Sequence, residues 1–344
     1  MFRLDAETAH EFGVKMMSLG LGGLVGAAKS VDDPRLRTSV FGLEFENPLG
    51  IAAGFDKNGI VVNQLASMGF GFVEVGTVTL KPQTGNPKPR MFRLPADKAL
   101  INRLGFNNEG AVVVVDRLKM LRRKCVVGVN IGKNKDVPNE EATENYVQVF
   151  ELIHSVADYI TINISSPNTP NLRELQKPDS LDELLGALQK RNVEMGKKPL
   201  LVKIAPDLTT AEIESALNIL LKHDIDGMIA TNTTTDRNNL ETVITENFRT
   251  GGLSGRPLAV RSNKVISAIN RYSKGKLPIV GVGGVFTGQD AFDKIAAGAS
   301  LIQAYTGFVY GGPTFACDVL RDLAIILHEH GFDSVQDAVG SAVY

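Results

Sequence analysis

The chain has 344 residues, long enough to bury a large core either as two ordinary domains or as one barrel with additions. Its 37 Lys and Arg balance 38 Asp and Glu, so a net charge of -1 gives no electrostatic reason to expect nucleic acid as a partner. Cys125 and Cys317 match no metal or redox spacing and suit two unpaired buried thiols, and no apolar run reaches the ~20 residues that span a bilayer. The first residues lack the pattern of a signal peptide, so any targeting or spanning segment is expected upstream of them.

Residues 1–28 read as two short helices. Asp5 is a candidate N-cap, and Ala9, Phe12, Met16 and Leu19 recur at helical spacing, with Val14, Met17 and Leu21 widening the apolar face. Gly20, Gly22 and Gly23 break the pattern before a second small apolar patch and the linker Lys29-Ser-Val-Asp-Asp-Pro34. Amphipathicity alone leaves two readings open, a helical cap docked on the main domain and a segment lying on a membrane surface. Residues 1–36 are therefore set apart from a main domain over 37–344.

From residue 47 short β-rich runs alternate with helical ones. Strands are expected at 48–54, 71–78, 126–132, 159–165, 200–205, 227–232, 278–283 and 300–305, several of them continuously apolar as in a parallel sheet covered on both faces. Ser180 with Glu183 and Thr209 with Glu212 read as capping boxes between them. Eight βα units favour a closed (β/α)8 TIM barrel over an open doubly wound sheet. Connections 80–101, 166–179 and 233–257 are long, and all follow the C-terminal end of a strand, the face on which such barrels carry their sites.

Polar residues gather at those strand ends: Lys57, Thr77, Asn130, Asn163, Lys203, Thr231 and Asn232, with Asn102 returning from the first long loop. Each alone is explained by a hydrogen bond in the core, but so many amides and ammoniums together imply a polar ligand. Asn163-Ile-Ser-Ser-Pro-Asn-Thr-Pro170 adds hydroxyls and amides on a proline-stiffened loop. Gly281-Val-Gly-Gly284, Ala304-Tyr-Thr-Gly307 and Ser254-Gly255 sit where a barrel holds a phosphate, near strands seven and eight. His10, His154, His223, His328 and His330 all fall in helices or termini, so neither a metal ligand nor a histidine base is expected at the mouth. What remains suits a flat heterocycle and a cofactor that supplies the reactivity.

Ile51-Ala-Ala-Gly-Phe-Asp-Lys57, Ile101-Asn-Arg-Leu-Gly-Phe-Asn107, Gly128-Val-Asn-Ile-Gly-Lys-Asn134, Asn163-Ile-Ser-Ser-Pro-Asn-Thr169, Val202-Lys-Ile-Ala-Pro-Asp207, Thr231-Asn-Thr233, Gly251-Gly-Leu-Ser-Gly255, Gly281-Val-Gly-Gly284 and Tyr305-Thr306 together resemble the quinone-linked (class 2) dihydroorotate dehydrogenases. The resemblance runs over nearly the whole chain. It implies an FMN-containing barrel that oxidises dihydroorotate to orotate in pyrimidine synthesis and passes the electrons to a ubiquinone-type quinone.

Carried over by position, the resemblance makes Ser166 the base, with Thr169 and Phe106 beside the proton's exit. Lys57, Asn102, Arg103, Leu104, Gly105, Phe106, Asn163, Asn168, Asn232 and Thr233 would hold substrate. Ala53, Gly54, Lys57, Thr77, Asn130, Asn163, Lys203, Thr231, Ser254, Gly255, Gly283, Gly284, Tyr305 and Thr306 would hold FMN, and His10, Arg93 and Tyr305 would line the quinone's passage. Class 1 enzymes use cysteine as base, and Ser166 argues against that class. Physics alone would favour Lys57 as base over a serine hydroxyl; strand alternation does place Ser165 on the side of Asn163 and leave Ser166 as the first loop residue. The resemblance also implies peripheral membrane association through residues 1–28. Gly331–Gly340 resembles animal members, pointing to the mitochondrial inner membrane, with a bacterial inner membrane as the alternative. Two rivals stay open: a Schiff-base lyase using Lys203, and a silent flavin- or phosphate-binding barrel.

Overall fold

The computed structural model describes residues 4–20 and 31–342. A hairpin of β1 (Thr38–Val40) and β2 (Leu43–Phe45) comes first, then β3 (Leu49–Ile51) and β4 (Phe72–Val78). Next are β5 (Met91–Leu94), β6 (Ala99–Asn102), β7 (Val126–Ile131), β8 (Tyr159–Asn163), β9 (Leu200–Ile204) and β10 (Gly227–Ala230). The last are β11 (Gly252–Gly255), β12 (Ile279–Val282) and β13 (Leu301–Ala304).

Eight of these strands, in the order β3-β4-β7-β8-β9-β10-β12-β13, close a parallel barrel, and each lies within one of the eight runs read from sequence. Full burial on both faces explains their continuous apolarity: every residue of β4, β8 and β9 is buried. Phe45 from the first hairpin meets Phe72 edge-on, its ring centroid 5.4 Å away, and joins Leu201, Val280 and Leu301 in a cluster closing the bottom of the barrel. The open end is the C-terminal one.

Two of the three long connections are not loops throughout. Residues 80–101 contain β5 and most of β6, and 233–257 contain β11; the three pair antiparallel in the order β11-β6-β5 as a small flap over the mouth. Their short length and mixed polarity hid them, because a four-residue strand carries too little periodicity to read.

Helix α1 (Ala6–Ser18) starts at Asp5, whose carboxylate accepts from the backbone N–H groups of Glu7 and Thr8 at 3.0 and 3.1 Å, as expected of an N-cap. It packs against β5 and is pinned by a buried pair, Arg90 Nη2 to Glu7 Oε1 at 2.8 Å, while Arg90 also donates to the carbonyls of Thr84 and Asn86. The second helix expected within 1–28 lies outside the described residues. Thr209 and Glu212 form their capping box, but Ser180 and Glu183 do not: the helix Pro178–Glu194 begins earlier, because Pro178 is pre-set for the first helical turn, and Ser180 is already inside it. Both cysteines are free; Cys317 is buried, whereas Cys125 is only partly so.

Candidate active site

Beneath the flap the strand ends surround one cavity. Its walls include Ala53, Gly54, Lys57 and Thr77 from the ends of β3 and β4, Asn102 from the end of β6, and Leu104, Gly105 and Phe106 from the segment after it. Asn163 ends β8, with Ser166 and Asn168 in the loop after it; Lys203 lies in β9, and Thr231, Asn232 and Thr233 follow β10; Ser254, Gly255, Gly283, Gly284, Tyr305 and Thr306 complete the glycine-rich side. Most of the residues expected from sequence to hold substrate and FMN or to carry the proton thus share one space. Three of that group do not reach its wall. Asn130 is fully buried one layer below, Arg103 turns outward to the carbonyls of Pro89 and Asn247, and Thr169 is buried beside the loop that carries Ser166.

The polar cluster is satisfied internally to a greater degree than expected from sequence. Asn163 Nδ2 donates to Thr77 Oγ1 at 3.0 Å and Asn130 Oδ1 at 3.1 Å, while its Oδ1 accepts from Ser165 Oγ at 3.1 Å and Asn232 Nδ2 at 3.3 Å. Asn130 Nδ2 continues the chain to Glu74 Oε1 at 2.8 Å. The amides therefore brace one another, as the core-hydrogen-bond reading of each residue alone expects, and their number by itself does not call for a ligand. The demand for a polar ligand rests instead on buried atoms of the cavity wall that find no partner among the described residues: Asn107 Oδ1, Asn168 Oδ1, Gln303 Oε1 and Tyr305 Oη.

Glu74 and Gln303 were missed in sequence. Glu74 is fully buried in the barrel and accepts from Asn130, Tyr159, Thr161 and Gln303, whose Nε2 lies 2.8 Å away. That bond fixes the Gln303 amide. A lone carboxylate inside the apolar run Phe72–Val78 was the available signal.

Ser165 and Ser166 are divided as alternation predicts. Ser165 is fully buried and joins the amide chain through Asn163 and Asn232. Ser166 lines the cavity, and its Oγ accepts from the Asn168 N–H at 3.2 Å. Two residues outside the motifs hold this loop: Asn86 Nδ2 donates to the Asn168 carbonyl at 3.0 Å, and Arg173 spans the carbonyls of Ser165 and Thr233 and the carboxylate of Asp207, each at 3.0 Å.

Lys57 opens into the same cavity. Burial holds its ammonium down to about 8; Glu7 works against that, and Arg90 adds to it. Lys203 is likewise lowered by burial, partly offset by Glu74.

A second, apolar cavity of about 400 Å³ lies between α1 and the barrel, lined by Ala6, Ala9, His10, Phe12, Met16 and Met17 on the helix side. Phe55, Arg93, Phe308 and Val309 face them. Met91, Leu100 and Tyr305 border both cavities. His10 stacks 6.4 Å from Tyr305 and meets Phe55 edge-on at 5.0 Å; burial foremost, and Lys57 next, push its pKa down to about 3, so the ring is neutral.

A model of the dihydroorotate dehydrogenase family matches residues 35–327. The chain belongs to the dihydroorotate dehydrogenase family. Among curated relatives of this dehydrogenase-family chain, a dihydroorotate dehydrogenase (quinone) from Gloeobacter violaceus is 48% identical, with 99% of this chain and 97% of that protein covered. One of the same name from Natronomonas pharaonis is also 48% identical, covering 99% and 96%. Among solved structures, a dihydroorotate dehydrogenase from Eimeria tenella in complex with ferulenol superposes with a TM-score of 0.90 at 43% identity, covering 98% of this chain and 95% of that one. The family match spans the barrel and its motifs, and the coverage by the relatives extends over α1 as well.

Proposed function

We propose that the chain oxidises dihydroorotate to orotate with FMN as its bound cofactor and a quinone as final acceptor, in pyrimidine synthesis. The observation that carries this reading is the meeting of two unlike cavities at Tyr305, one polar with unpartnered buried acceptors and one apolar. A single-step lyase using Lys203 has no use for the second.

The polar cavity fits FMN by its own chemistry. Gly255, Gly283 and Gly284 have φ values of 102°, 120° and 78°, and a Cβ at Gly284 would lie 2.4 Å from that of Ala259, so no side chain enters this corner and backbone can approach a phosphate. Thr306, Ser254 and Lys203 line the same cavity, with the Thr306 hydroxyl donating to Ser254 Oγ at 2.9 Å. Bound FMN supplies the two-electron chemistry, taking a hydride equivalent from the substrate and releasing the electrons to quinone.

In this reading Asn102, Asn163, Asn168, Asn232 and Thr233 hold the dihydroorotate ring by its carbonyls and N–H groups. Ser166 Oγ takes the proton from the ring carbon next to a carbonyl as hydride leaves the adjacent carbon and a C=C bond forms between them. Its own hydroxyl proton must leave, and Thr169 Oγ1, buried without a partner, and Phe106 flank that way out. The Lys57 ammonium favours both the anionic substrate and the charge that develops on it. Noncovalent FMN should leave the protein on heating; a protein that neither contains nor takes up FMN contradicts the reading.

Lys57 gives the site a pH dependence with a definite sign. Its folded value of about 8 lies below that of an ordinary lysine, so the charged form that attracts a carboxylate is lost as pH rises through about 8. Orotate affinity is expected to fall from pH about 8 upward in the native protein, and to be weak at every pH in Lys57→Met. A flat profile in the native protein excludes Lys57 from substrate binding.

We place quinone in the apolar cavity beside His10, Arg93 and Tyr305, entering from a membrane surface on which residues 1–28 lie. Phe12 and Leu19 of this segment, 47% and 65% exposed, support that contact. Among the described residues no helix is long and apolar enough to cross a membrane. The quinone-bearing membrane is the mitochondrial inner membrane or a prokaryotic one; the bacterial and archaeal relatives lend the first no support over the second.

A further inference from the structure

Lys294, on the helix Gly288–Ala296, is 1% exposed, yet among the described residues it pairs with no carboxylate. Its Nζ donates to Ser262 Oγ at 3.1 Å and to Asn263 Oδ1 at 2.7 Å, both neutral. The nearest acids on its own helix are engaged elsewhere, Asp290 in the Thr287 capping box and with Arg256 at 2.6 Å, and Asp293 with Gln289 at 2.7 Å. A buried ammonium without a counter-charge is costly, and that cost is removed only by negative charge nearby or by loss of the proton.

Its position names the missing charge. The Lys294 stem lies on Gly281, where a Cβ would come within 2.6 Å of its Cγ. Ser262, which receives the ammonium, donates to the Val282 carbonyl, and its Cβ stands 3.3 Å from where Gly283 would carry one. The lysine head is thus one hydroxyl behind the Gly283-Gly284 turn, on the side away from the cavity. The helix Ala259–Ser273 starts at the same turn, and a Cβ on Gly284 would approach the Ala259 nitrogen to 2.9 Å. Two positive sources, a helix N-terminus and a buried ammonium, converge from behind on a corner that no side chain can fill.

We propose that Lys294 is a positioning residue for the cofactor's phosphate: its buried charge, acting through Ser262 and the glycine turn, is the counter-charge of a phosphate seated in front of that turn. This rests on the FMN reading of the cavity. Burial holds the free ammonium down to about 7, with the more distant carboxylates of Asp290 and Asp293 offsetting only part of that. Because a charge acts over several ångströms in a dry interior, contact is not required, and the effect falls on the phosphate alone and not on the flavin ring.

The test compares FMN with riboflavin, which has the same ring and no phosphate, by fluorescence titration of the flavin-stripped full chain. In Lys294→Met, FMN affinity should fall at least about tenfold while riboflavin affinity stays within about twofold of the native value. Should Lys294→Met not fold, Asn263→Asp keeps the lysine and its packing, sets a carboxylate against the ammonium, and should lower the FMN-to-riboflavin ratio in the same direction. An unchanged ratio in whichever variant folds, or an equal loss of both ligands, overturns the proposal. A native protein that does not prefer FMN to riboflavin overturns instead the reading of the cavity on which it rests.

Discussion

Ser166→Ala is expected to slow reduction of the bound flavin by dihydroorotate by about 100-fold or more, the usual cost of losing a general base, with a much smaller change in orotate affinity. Ser165→Ala should behave differently. Ser165 Oγ is spent on Asn163 and Asn232, so its loss disturbs the amide chain and should weaken orotate binding, with a milder effect on the reduction step. The neighbours thus report on different steps, proton transfer for one and substrate seating for the other. Single-turnover flavin reduction and orotate titration on both variants separate them. Equal effects on both quantities would place the function in the shape of the loop, which Arg173 and Asn86 fix, and not in the Ser166 hydroxyl.

Removing residues 1–28 should abolish turnover with a long-tailed quinone while leaving flavin reduction by dihydroorotate largely intact. The deletion takes away one wall of the apolar cavity, including His10 and Met17, but none of the residues lining the polar one. It also leaves Arg90 without Glu7, and breaking a buried pair on one side typically costs about 3–5 kcal/mol. Arg90 keeps its bonds to the carbonyls of Thr84 and Asn86, which limits the damage to the flap. Combining the deletion with Arg90→Met removes the stranded charge and gives a second preparation in which the barrel is expected to hold. The docked-cap alternative predicts another pattern, with both half-reactions falling together with thermal stability.

The barrel was legible because its strands are buried on both faces and write themselves as unbroken apolar runs, separated by helices of the other period. The flap was not, since β5, β6 and β11 are short, and β11 joins the β5-β6 hairpin only by pairing with a segment about 150 residues earlier in the chain. Of the site, the polar strand ends could be listed from sequence but not weighed. Asn130, Asn163 and Asn232 look alike there, yet they brace one another, and the unpartnered acceptors belong to Asn107, Asn168, Gln303 and Tyr305. Glu74 and Lys294 show the same limit. A charged residue in an apolar stretch is visible, but its partners come from distant strands and helices.

The most direct measurement is the visible spectrum of the purified protein, without oxygen, before and after dihydroorotate is added. Flavin bands are expected at the start, with their bleaching on addition of dihydroorotate, orotate formed in proportion to the flavin reduced, and recovery of the bands when a quinone follows. Flavin bands that dihydroorotate leaves unchanged, in a protein that binds orotate or not, would contradict the proposed function.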